Sequence, residues 1–211
     1  SAFGGALLAT VIVLTASQMA GTISVARLIL IGIAVMAIAN ALIGLLIYIS
    51  TDQQLRELTF WTLGSLAKSN WTTVTVATVV MIMASVALYR FHRTLDLFQL
   101  GDRAAFHSGV DVHRAKFRIC ALAAVAVGAG VSVAGPIGFI GLVAPHIARL
   151  IVSPVHRHVL PVAALVGAVL LLSADLFVRT VIPPAEIPIG IATAGIGGPF
   201  FLWLLLRSRR L

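Results

Sequence analysis

Asp175 and Arg179 stand four residues apart in the segment SADLFVRT, with no other Asp, Glu, Lys or Arg between Arg157 and Glu186. That spacing places an acid and a base one turn apart on one helix face, the geometry of a neutralising ion pair. At membrane depth the same two groups could instead carry a proton or a sodium ion, since charges there are functional candidates. Both readings stand on these residues alone. His146 and Arg149, one turn apart beyond Pro145, raise the idea of a metal or proton site. A single histidine without a second ligand is a poor metal site, and an interfacial hydrogen bond accounts for it. Cys120 is the one cysteine, which excludes a disulfide framework and a CxxC metal motif. Neither HExxH nor GxxxxGK[ST] occurs, and no Ser/His or paired-Asp arrangement points to a hydrolase. No enzyme, metal site or cofactor is therefore expected, and the chain has no phosphate-binding loop of its own for ATP.

The elements that hold these residues are apolar. Hydrophobic residues make up 60% of the 211 and charged residues 10%, with a mean hydropathy of +1.07. This composition belongs to an integral membrane protein of the all-α, polytopic helical-bundle class. Apolar runs predict spans over residues 2–19, 27–49, 72–89, 117–134, a short 138–152, 159–179 and 189–206, seven in all. The short one follows from a break. From Ile119 to Ala148 there are 30 residues without Asp, Glu, Lys or Arg, about 45 Å as one helix against a hydrocarbon core of about 30 Å. Gly135-Pro136 ends one helix, and Pro145 with its small neighbours makes a second irregular point that only surrounding protein could cover.

Charge orients the chain. With the loop 90–118 in the cytoplasm, alternation puts Arg27, the six basic residues of that loop, Arg149, Arg157, Arg207, Arg209 and Arg210 inside. Only Arg56, Lys68 and Arg179 remain outside, a strong positive-inside bias. The net charge of +8 is a product of this topology, which leaves no support for nucleic-acid binding.

Two polar segments interrupt the spans. Residues 90–118, RFHRTLDLFQLGDRAAFHSGVDVHRAKFR, contain a helix-forming stretch from Asp102 to His107 bracketed by Gly101 and Gly109. They predict either a compact helix–turn–helix on the cytoplasmic face or a solvated basic loop that sets topology. Residues 50–71 suit an outer interfacial helix around Arg56 and Glu57, anchored by Trp61 and Trp71. Glycine and alanine in 121–135 and 190–198 suit close helix packing.

GPIGFIGLVAPHIARLIV, then HRHVLPVAALVGAVLLLSADLFVR, then EIPIGIATAGIGGPFFLWLLL resemble the C-terminal half of FecCD/BtuC-type permeases. RLILIGIAV, LREL…FWTLGSL and LGDRAAFHSGV extend the resemblance to nearly the whole chain. It implies a ten-helix permease fold, of which residues 1–211 would form one transmembrane domain holding helices four to ten. The first residue is not Met, and upstream sequence is expected. The resemblance further implies a membrane subunit of a bacterial ABC importer in the inner membrane. It would carry an iron–siderophore-type metal chelate by alternating access, without chemistry of its own.

Partners implied in the same way are cytoplasmic ATP-binding subunits, a periplasmic or lipoprotein binding protein, a second permease subunit or half, and membrane lipid. Leu100, Gly101, Ala105 and Gly109 fall in the ATPase-coupling helices, with Ser108 where the family usually has Leu. Arg179 falls at a position that docks the binding protein. Ser24, Val25 and Ala26 fall at the cytoplasmic gate, although only the first carries the family's hydroxyl. An ion-coupled secondary transporter using Asp175 and Arg179 is the alternative reading; it would need no partner ATPase.

Overall fold

The computed structural model describes residues 2–19, 25–66, 70–181 and 188–208. Among them are ten α-helices and no strand. They are α1 (Ala2–Met19), α2 (Val25–Tyr48), α3 (Asp52–Thr62), α4 (Trp71–Tyr89), α5 (His92–Gln99), α6 (Asp102–His107), α7 (Val112–Ala134), α8 (Ile140–Ile151), α9 (His156–Val181) and α10 (Ile189–Ser208). Four stretches are long and apolar enough to cross a membrane: Ile29–Tyr48, Trp71–Tyr89, Val112–Ala134 and His156–Thr180. Shorter apolar helices run over Gly4–Ala16, Ile140–Ile151 and Ile189–Leu202. All seven coincide with the apolar runs of the sequence, and the short fifth run is α8.

The chain divides into two compact units, one of residues 1–58 and 71–132 and one of residues 59–70 and 133–211. In the first, α1 packs along α2. Small residues set close approaches: Ala77 and Ala84 are buried on α4, Gly128 and Ala129 on α7, and Gly130 lies beside the Met81 side chain. Along α2 no described residue is buried within this chain. The polar helix α3 starts with half of a capping box, the Thr51 amide donating to Gln54 Oε1 at 3.1 Å.

In the second unit α8 packs on α9, and α10 covers both. Residues 135–138 are non-helical, so Gly135 and Pro136 do form the break. Protein backbone crosses beside it, the cover that irregular backbone in a membrane needs. The Ser65 amide donates to the Ala134 carbonyl at 2.9 Å, the Ile189 amide to the Gly64 carbonyl at 3.1 Å, and the Gly190 amide to the Leu63 carbonyl at 3.0 Å. Residues 63–65 thus tie the end of α7 to the start of α10. Only glycine fits this crossing. A Cβ on Gly135 would sit 2.6 Å from the Trp61 carbonyl oxygen, and one on Gly190 would overlap the Leu63 carbonyl. Gly64 and Gly135 also adopt φ of +73° and +72°, a region that costs other residues about 1–2 kcal/mol.

Pro145 departs from expectation. It lies inside α8 and does not interrupt it. Its ring removes one amide donor, the one that would reach back to Gly141, and the helix, packed on α9, continues past it to Ile151. The backbone distortion sits instead at Phe139, whose φ is +65° just before α8. Its ring lies so close to Gly197 of α10 that a side chain there would collide with it.

Candidate functional site

Leu100, Gly101, Ala105 and Gly109 come together in the short connection from α4 to α7. α5 ends at Gln99 and is capped by Leu100, where the Leu100 and Gly101 amides donate to the Leu97 and Phe98 carbonyls. Gly101 then takes φ +101°, ψ 159°, a conformation open to glycine and little else. α6 closes with the two hydrogen bonds of a Schellman motif: the Val110 amide to the Ala105 carbonyl at 3.1 Å, and the Gly109 amide to Phe106 at 3.0 Å. Gly109 supplies the positive φ, +83°. Asp111 caps α7, accepting from the Arg114 amide at 3.0 Å. The two glycines and the aspartate therefore build the helix–turn–helix reading of this segment from local chemistry alone.

Within it Ala105 is fully buried, at 0% exposure, while Leu100 is 74% and Phe106 68% exposed. Ala105 holds the segment from inside, and the exposed apolar side chains are Leu100 and Phe106. Beneath them Lys116 of α7 is buried, with 8% exposure. Its ammonium donates to Asp102 Oδ2 at 2.6 Å and stands 5.7 Å from the centre of the Phe98 ring. Lys116, Asp102 and Phe98 escape a reading by hydropathy, where Lys116 counts only as one of six basic residues in a loop. The available signal was an acid at the start of one short helix and a lysine on the first turns of the next.

The remaining candidates lie elsewhere. Arg179 Nε donates to Asp175 Oδ2 at 2.8 Å, with the arginine side chain 55% and the aspartate 24% exposed, so the i,i+4 pair is formed. Ser24 is outside the described residues; Val25 opens α2, and Ala26 after it is exposed. Among the described residues no group of three or more His, Cys, Asp or Glu could hold a metal ion.

Each unit contains an apolar cavity. One of about 410 Å³ lies among Leu14, Val35, Met36 and Cys120. The other, about 280 Å³, lies among Phe139, Val143, Leu170, Phe177 and Ile196. The hydroxyls at their walls bond to carbonyls of their own helices: Thr10 to Ala6, Ser173 to Val169 and Thr193 to Gly190. Neither cavity is built to hold an ion.

The FecCD transport family model matches residues 1–207. The hemin transport system permease protein HmuU of Yersinia pestis is 47% identical over 208 residues, covering 99% of this chain and 62% of that protein. The vitamin B12 import system permease protein BtuC of Vibrio parahaemolyticus is 37% identical over the same coverage of both. The Fe(3+) dicitrate transport system permease protein FecD of Escherichia coli is 43% identical over 183 residues, 87% of this chain and 57% of that one. The chain thus spans about three-fifths of these relatives' length. A solved structure described as an inward-facing conformation of a metal-chelate type ABC transporter superposes with a TM-score of 0.86 at 33% identity, covering 98% of this chain and 72% of the other. With a family match from the first residue to 207 and a glycine-bracketed helix pair between its apolar helices, the chain belongs to the FecCD transport family.

Proposed function

We propose that this chain is the membrane-spanning part of a permease subunit in a binding-protein-dependent ABC importer. The observation that carries the reading is the family match over residues 1–207, and the segment α5–α6 with exposed Leu100 and Phe106 is the feature that supports a partner ATPase. ATP hydrolysed in that partner would move the segment and shift a central path between outward and inward openings. The chain contributes no chemistry of its own. Alternation of spans and the positive-inside bias support a multi-pass protein of the bacterial inner membrane with residues 90–118 in the cytoplasm.

The cargo class is a bulky metal chelate. Relatives named for hemin, vitamin B12 and ferric dicitrate support it, and within it an iron chelate, of the siderophore or haem type, is favoured. A second permease subunit fits the unburied flank of α2, and a binding protein fits the exposed Arg179. An ion-coupled transporter built on Asp175 has no support among these relatives, and its carboxylate is paired with Arg179.

Uptake in vesicles containing the full transporter tests the proposal, with hemin, a ferric siderophore and cobalamin offered in turn. ATP-dependent accumulation of one iron chelate is expected. Accumulation driven by a sodium or proton gradient without ATP would contradict it.

A further inference from the structure

Lys116 is a buried cation at the junction of three helices. Phe98 comes from α5, Asp102 from α6 and the ammonium from α7. The connections between these helices are short: α6 is six residues long and is entered and left through Gly101 and Gly109, both in conformations that favour glycine. A push on Leu100 or Phe106 would pivot the short helix about its glycines unless something fixed it to a longer element. The Lys116–Asp102 bond spans fourteen residues of sequence and provides that tie, to a helix of 23 residues.

Burying an ammonium is a costly way to stabilise a fold, since an apolar residue of similar size does as well or better. A paired charge at such a place specifies geometry. We propose that the Asp102–Lys116 ion pair is the rigid link that makes the α5–α6 segment move as one body with α7, so that Lys116 is a positioning residue for energy coupling. The inference rests on the reading of the chain as a permease driven through that segment.

The pair is asymmetric: the lysine side chain is 9% exposed and the aspartate 56%. Removing the ammonium leaves a carboxylate that water can reach, whereas removing the carboxylate takes a hydrogen-bonded anion from a buried cation. Lys116→Met is therefore the informative change, because it keeps length and burial and deletes the link.

The experiment uses the full transporter with its ATPase and binding protein in nanodiscs. Spin labels are placed at His107 and Arg118 in a Cys120→Ser background, and uptake per ATP is measured in matched vesicles. With the pair intact, one narrow label distance unchanged by ATP is expected. Lys116→Met should broaden it and lower uptake per ATP roughly tenfold, within the usual range of a coupling free energy; Lys116→Arg should restore both. Should Lys116→Met not assemble, Asp102→Asn is read by the same distance. A variant with the narrow distance and full uptake per ATP overturns the link. If the parent with the pair intact hydrolyses ATP without importing any chelate, the permease reading itself fails, a result distinct from loss of the link alone.

Discussion

On the proposed function Arg179 meets two demands with one guanidinium. Its Nε already serves Asp175 at 2.8 Å, which fixes the side chain along the helix, and its 55% exposure leaves it in reach of a docking protein. The two roles are compatible if the pair holds the arginine in place for an acidic partner. Arg179→Glu should then weaken the binding protein by on the order of tenfold at low salt, less at high salt. Equal affinity at every salt concentration, measured by surface plasmon resonance on the reconstituted transporter, would leave the pair a purely structural role. At this scale the spacing of Asp175 and Arg179 put the ion pair among the open readings, and the structure forms it. The Lys116 pair was not foreseeable, because hydropathy registers a lysine as a charge and is blind to an aspartate fourteen residues away that folds back over it. Ala105 was recognisable as part of the segment, yet its inward direction depends on the turns at Gly101 and Gly109.

The elements show why some boundaries were legible and others were not. Runs read as 2–19, 72–89 and 189–206 reappear as α1 (Ala2–Met19), α4 (Trp71–Tyr89) and α10 (Ile189–Ser208), since an uncharged run bounded by polar residues leaves little choice. The span read as 117–134 extends to Val112 in α7. Its first turns carry His113, Arg114 and Lys116, residues that signal the end of a membrane span although the helix continues, capped by Asp111. The crossing of residues 63–65 over the end of α7 and the start of α10 left no local trace beyond its glycines. Gly190→Ala should lower the stability of the second unit by about 1–3 kcal/mol through overpacking, because the new methyl meets the Leu63 carbonyl. Gly5→Ala, where nothing lies within 4 Å, is the matched control. Thermal unfolding in detergent reads the difference, and equal midpoints would remove the crossing from the account of stability.

For the whole molecule, this FecCD-family chain of apolar helices is, on the proposed function, a permease that draws its energy from another chain. On that proposal energy enters through the α5–α6 segment, where Leu100 and Phe106 are exposed. Cysteine placed at Leu100 or at Phe106, with Cys120 replaced by serine, tests this most directly in membranes holding the full transporter and its ATPase. The account predicts a cross-link to the ATPase whose yield changes when nucleotide is added. No cross-link from either position, with both proteins folded and present, would contradict it.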